Sequence, residues 1–261
     1  MDISTFLTKL IVCFIAGTGA GLGTGFAGMS AVTVISPMLI TFVGIPTYDA
    51  VGIGLASDIL ASAISARTYA KNKNIDIKNG IIMLVSVLVM TFVGSWVANL
   101  MPDTTMGNLS VIMTLFLGLK FLISPVKTTK DDMLRRSPTL YHIAALICGI
   151  YIGFVCGFMG AGGGLMMLLV LTSVMRYELK TAVGTSVFVM IFTALTGAIS
   201  HFAIGGIPDI ECLVLCIIFT FIWSRIASKI ANRSSSKTLN RMTGLILTIL
   251  GCVVGIIRFI A

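Results

Sequence analysis

The chain has 261 residues, 57% of them hydrophobic and only 11% charged, with a mean hydropathy of +1.05, which excludes an ordinary soluble domain. Its 18 Lys and Arg against 10 Asp and Glu give a formal charge of +8. The cations fall in short stretches between apolar runs, not along one amphipathic face, which excludes a nucleic-acid surface. They read as topology signals of an all-α integral membrane protein, since about 20 apolar residues cross a roughly 30 Å hydrocarbon core and a helix satisfies its own backbone there.

The first predicted segment, Phe6 to Ala27, contains small residues from Ala16 to Ala20 that imitate a signal-peptide cleavage site. The same pattern returns in mid-chain, where no leader could stand, so the segment is read as part of the membrane body. Ser30 to Val43, Val51 to Ala70, Asn79 to Leu100 and Thr105 to Ser124 follow it. Beyond a basic linker come Leu140 to Met159, Gly163 to Met175, Thr181 to Ile204, Ile210 to Ala231 and Leu239 to Ile260. The second segment of each group is short for a full crossing.

The two groups are copies. A shift of 132 residues, without a gap, lays Gly17, Gly21, Gly25, Phe26 and Gly28 on Gly149, Gly153, Gly157, Phe158 and Gly160. In the same register Ala50-Val51-Gly52 falls on Ala182-Val183-Gly184, and Ile75 on Ile207. The organisation expected is a first membrane repeat over 1–124, a cytoplasmic basic linker over 125–139 and a second membrane repeat over 140–261. Arg67 to Lys78, Lys127 to Arg136 and Lys229 to Arg241 carry the loop cations and belong to the cytoplasm by the positive-inside rule. The stretches Pro46 to Asp49, Pro102 to Asn108 and Gly205 to Glu211 carry no Lys or Arg and belong to the other side. Five segments per copy is an odd number, so the copies are expected to be inverted, with substrate held where they meet.

The glycine run Gly160, Gly162, Gly163 and Gly164, with Ala161 inside it, is poor material for continuing a helix, at about 1 kcal/mol per glycine relative to Ala. It reads as a broken or re-entrant helix whose exposed amides open the next helix, a place that favours an anion. Gly28, Met29 and Ser30 are the counterpart in the first copy, and the two helix starts are expected to converge. The four-residue ladders Gly17, Gly21, Gly25 and Gly149, Gly153, Gly157 read instead as close helix packing.

The Gly153 to Gly157 spacing, the run Met159 to Gly164, Ala182-Val183-Gly184-Thr185-Ser186 and Ile207-Pro208-Asp209 resemble the sulfite exporter (TauE/SafE) family of membrane permeases. Gly21, Gly25, Gly28, Pro37-Met38-Leu39, Ala50-Val51-Gly52 and Ile75-Asp76 carry the same resemblance through the first copy. The resemblance implies a multi-pass bacterial or archaeal inner-membrane carrier of sulfite, organosulfonates or related small carboxylates. The sequence departs from the pattern at Gly28-Met29-Ser30-Ala31, where a fuller glycine run is expected, and at Leu169, opposite Pro37.

Other residues acquire candidate roles from position. The hydroxyls of Thr185 and Ser186, in the opening turn of their segment, could donate to an anion without adding charge, or bond their own helix. Asp58, in mid-segment opposite Met190, costs at least about 2.5 kcal/mol unpaired in a bilayer and is a coupling candidate for proton-driven transport, or a structural acid. Arg67 could serve an anion leaving toward the cytoplasm, or reach the headgroups as Lys120 and Arg225 are expected to do. Gly23 to Gly28 with Asp49 downstream imitates a dinucleotide fingerprint, but it follows a membrane-length run and is not repeated in the second copy. The six cysteines form no CxxC, and no ligand set, nucleophile with base or carboxylate pair emerges. The reading is therefore a permease with no cofactor, no metal and no catalytic site. Its partners are a small anion and the lipid bilayer, with no nucleic acid, and assembly into a homo-oligomer stays open. A passive anion channel, or a membrane enzyme or assembly protein without transport, are the alternatives.

Overall fold

The computed structural model describes residues 3–98, 103–134, 138–159, 163–205 and 208–260. These form helices α1 (Ile3–Ala27), α2 (Val32–Val43), α3 (Thr47–Lys71), α4 (Ile77–Ala98), α5 (Asp103–Ile123), α6 (Lys130–Leu134), α7 (Pro138–Met159), α8 (Gly163–Ser173), α9 (Leu179–Gly205), α10 (Ile210–Arg233) and α11 (Ser236–Ile260). Every expected segment is a helix. The largest displacement of a start is at α3, which begins at Thr47 instead of Val51, because Pro46 in an extended conformation sets the first turn and Asp49 lies within it. The short α6 in the linker was not expected from the apolar pattern. The stretches Ser4–Ala27, Thr47–Lys71, Leu179–Ala203, Ile210–Arg233 and Ser236–Ile257 are long and apolar enough to cross a bilayer, which makes this a multi-pass membrane protein.

Small residues decide which helices meet. A Cβ on Gly17, Gly21 or Gly25 would lie 2.6 Å from the Phe219 Cβ, 2.7 Å from the Thr220 carbonyl oxygen and 2.5 Å from the Ala227 Cβ. The glycine ladder of α1 thus lets the α10 backbone approach, and the two helices run in parallel. The ladder of α7 does the same for α4: a Cβ on Gly153 would lie 2.6 Å from the Val87 carbonyl oxygen, and one on Gly149 would collide with Ser86. The pair α4 and α7 is the pair α10 and α1 moved by the 132-residue shift.

Two further pairs are antiparallel and cross their own counterparts. Gly52 of α3 faces His201 and Phe202 of α9, and Gly184 of α9 faces Tyr69 of α3. Gly118 of α5 meets Thr248 of α11, and Gly244 of α11 meets Leu122 of α5. All four of these extensive pairs join residues before the linker to residues after it, so the two halves interlock through α4 and α10.

The loops sort by end. Lys130 Nζ reaches the Lys73 carbonyl at 2.5 Å, Asn74 Nδ2 donates to Asn232 Oδ1 at 2.8 Å, and Asn240 Oδ1 accepts from the Val126 amide at 2.8 Å. The basic loops therefore share the end that their charge assigns to the cytoplasm. At the other end Lys9 bridges Asp209 at 2.5 Å and Glu211 at 3.0 Å, and Tyr48 lies against His201 with ring centroids 4.2 Å apart.

Candidate functional site

The break after α1 is a left-handed cap. Gly28 has φ +62°, its amide donates to the Thr24 carbonyl at 2.9 Å, and the Met29 amide donates to the Gly23 carbonyl at 3.2 Å. Thr24 Oγ1 lies 2.8 Å from the Met29 carbonyl oxygen and holds the turn from inside. Both amides are consumed in closing α1, so what Gly28 turns toward the second half is its carbonyl oxygen.

That carbonyl meets the start of α8. A Cβ on Gly164 would collide with the Gly28 oxygen and lie 2.6 Å from the Met190 sulfur, while a Cβ on Gly28 would lie 2.9 Å from Ser186 Oγ. Ser186 is fully buried, with Oγ 3.4 Å from the Gly28 carbonyl oxygen, 3.3 Å from the Gly164 carbonyl oxygen and 3.8 Å from the Met190 sulfur. One hydroxyl proton can serve only one of these acceptors at a time, and at such lengths each bond is weak. The hydroxyl is thus positioned to exchange partners at the point where the two interrupted segments touch. Gly160, Ala161 and Gly162 lie outside the described residues. Gly163 and Gly164 form the first turn of α8, which contains no acidic residue.

The start of α2 differs. Its cap, Ala31, has no hydrogen-bonding side chain, and Asp58 from the middle of α3 stands in for one, with the Ser30 hydroxyl and the Ala31 amide beside its carboxyl group. Ser62 Oγ adds a hydrogen bond to Asp58 Oδ1 at 3.3 Å, and the residue is 1% exposed. A carboxylate at a helix start is favourably placed against the amide dipoles. Met190, the repeat counterpart of Asp58, brings a neutral thioether to α8. The two helix starts fall within one residue of each other under the 132-residue shift, and a carboxyl group stands at the first while a thioether and a hydroxyl stand at the second.

Thr185 does not face this cluster. Its Oγ1 accepts from the Asp76 amide at 3.1 Å, within a polar network that opens α4. Asp76 accepts from the Tyr177 hydroxyl at 2.8 Å and from Asn79 Nδ2 at 2.6 Å, and Asn79 Oδ1 lies 2.9 Å from His142 Nδ1. Burial, reinforced by the Asp76 charge, holds the Tyr177 phenol well above its ordinary range and keeps it a donor. Asp76 enters the sequence reading only through the Ile75-Asp76 resemblance, and Asn79, His142 and Tyr177 draw no site role there, because they sit at segment ends, where polar residues look solvated. The usable signal was Asp76 beside Ile75, one residue before a helix start, as Asp209 stands before α10 and accepts the Cys212 amide at 3.0 Å.

Arg67 lies nine residues beyond Asp58, about half a turn round the helix at 3.6 residues per turn. It lines a cavity of about 340 Å³ between α3 and α10, away from Ser186. Among the described residues no group of three or more His, Cys, Asp or Glu could hold a metal ion.

The sequence matches the model of the family described as sulfite exporter TauE/SafE over residues 13–254. It is 27% identical over 228 residues to the probable membrane transporter protein YunE of Bacillus subtilis, covering 81% of this chain and 83% of that protein. It is 30% identical over 207 residues to a probable membrane transporter protein of Methanocaldococcus jannaschii, covering 75% of this chain and 73% of that one. No solved structure matches the chain. An all-helical, multi-pass body with paired helix breaks and a family model spanning nearly its whole length lead to one assignment: this chain belongs to the sulfite exporter TauE/SafE family of membrane transporters.

Proposed function

We propose that the protein carries a small anion, such as sulfite, an organosulfonate or a small carboxylate, by alternating access, and that the anion binds at the start of α8. The observation that carries this reading is the unequal pair of helix starts: Asp58 occupies the one at α2, while the one at α8 has Met190 and the Ser186 hydroxyl but no charge of its own. An anion there would find a positive dipole end and a donor hydroxyl in a low-dielectric setting. The family name supports a sulfur oxyanion, and the contacts that exchange under the 132-residue shift support an inverted repeat.

The interlocked packing bears on the motion. Because α1 lies on α10 and α7 on α4, a unit that moves as a body is α1, α2, α3 and α10 against α4, α7, α8 and α9. In this reading the parting surface runs through α3 against α9 and through the Gly28 to Gly164 contact. Asp58 is the coupling group: a proton on its carboxylate weakens its hold on the α2 start and frees that segment to move. Arg67 takes no part in the central site.

Purified protein in liposomes tests the reading. Saturable uptake of labelled sulfite, sulfonate or carboxylate that runs in exchange supports it. Conductance that grows with voltage without saturating indicates a channel, and movement of none of these anions under any imposed gradient removes the assignment.

A further inference from the structure

The cavity between the cytoplasmic ends of α3 and α10 is lined by Arg67, Lys71, Arg225, Lys229 and Arg233 and by no acidic residue. Among the described residues the ion pairs are those of Lys9, and none of these five cations has a hydrogen-bond acceptor or a carboxylate partner. Five like charges around one opening repel each other, and among the described residues no ion pair offsets them. Their repeat counterparts, Ile199, Ala203, Val93, Val97 and Met101, carry no charge, so the cluster is not a by-product of the duplication.

On α10 the cations Arg225, Lys229 and Arg233 recur every four residues, and directly beside them runs a second stripe, Ile222, Ile226 and Ile230, exposed at 44%, 39% and 43%. The first stripe faces the cavity and the second faces outward, where the acyl chains of a bilayer lie. On α3 the exposed Leu60 continues the apolar surface one turn below Ile64, at the cavity wall. An amphiphile with a negatively charged head and apolar tails matches both stripes together, whereas a free anion uses only one.

We infer that this cavity binds the phosphate headgroup of an anionic phospholipid from the cytoplasmic leaflet. The shared chemistry is a phosphate oxyanion held by guanidinium and ammonium groups; the isoleucine stripe assigns its source to lipid and not to solution. The bound headgroup would tie α3 to α10 at the end where their charges would otherwise push them apart.

The test uses the full chain in detergent and measures thermal shift and bound lipid by native mass spectrometry, with phosphatidylglycerol, phosphatidylcholine and inorganic phosphate as probes. Phosphatidylglycerol is expected to raise Tm and to remain bound, and phosphatidylcholine to do neither. At about fivefold in affinity per cation, the combined variant Arg225→Ala, Lys229→Ala, Arg233→Ala should bind phosphatidylglycerol about 100-fold more weakly. A control that removes Lys237 and Arg241 from the same end but outside the cavity should keep most of the binding. Equal binding of phosphatidylcholine, equal loss in the control variant, or full stabilisation by inorganic phosphate alone would each overturn the inference. The comparison of the three probes on the unmodified chain stands even if the triple variant does not fold.

Discussion

The starts of α2 and α8 coincide to within one residue under the 132-residue shift, in register with the glycine ladders, and are surrounded by different groups. At α2 the Ala31 methyl can make no capping hydrogen bond, and Asp58 fills in from α3. At α8 two glycines open the helix against the Gly28 carbonyl, and the residue equivalent to Asp58 is Met190. The Asp58 carboxyl stands at the first of these helix starts, and the Met190 thioether and the Ser186 hydroxyl stand at the second. On the proposed reading, this inequality gives the anion a single place to bind.

The sharpest way to break the comparison is to make the halves alike. Met190→Asp would give α8 its own carboxylate, and uptake of the transported anion should fall at least about 100-fold, since like charges in a low-dielectric site cost several kcal/mol. Wild-type uptake in this variant would contradict the assignment. Gly164→Leu forces a side chain into the Gly28 carbonyl and should abolish uptake while membrane insertion persists; membrane extraction and tryptophan fluorescence would separate lost transport from lost folding.

Asp58→Asn keeps the shape but removes the titrating group. Its uptake should lose its dependence on pH, and an unaltered profile would remove Asp58 from coupling. Thr185→Val withdraws the acceptor of the Asp76 amide in the α4 network and should cost about 1–2 kcal/mol in stability without altering anion specificity.

The smallest effect concerns the outer end. Burial raises the Asp209 carboxyl, but the Cys212 amide and Lys9 outweigh it and leave its pKa below the ordinary carboxylate value of 3.8. A depressed carboxylate contributes stability that is present above its unfolded pKa and is lost as pH falls through the lower folded value. Lys9→Ala should therefore lower Tm slightly at neutral pH, by the equivalent of at most about 1 kcal/mol, with the difference from wild type vanishing in strong acid.

Much of this contrast was open to view in the amino-acid order. Apolar run lengths placed the helices, and the 132-residue register paired Asp58 with Met190 before any packing was known. The glycine ladders announced close approach, although not the partner, because a small residue advertises a neighbour without naming it. The interlocking of α1 with α10 and α7 with α4 is a long-range choice that no local pattern encodes. Gly28 was legible as an interruption, but its left-handed cap, which consumes the Gly28 and Met29 amides, depends on φ, and Gly accepts either sign. Thr185 and Ser186 are adjacent and looked equivalent. Successive helical residues point about 100° apart, and that rotation sends one to Asp76 and the other to the meeting point.

An anion received at the α8 start, with Asp58 already filling the α2 start, should stabilise the fold only while α8 has no carboxylate beside it. Thermal stabilisation of the purified protein by sulfite, compared between wild type and Met190→Asp, tests it most directly. Wild type is expected to show a concentration-dependent rise in Tm and Met190→Asp none; an equal rise in both would remove the α8 start as the binding place.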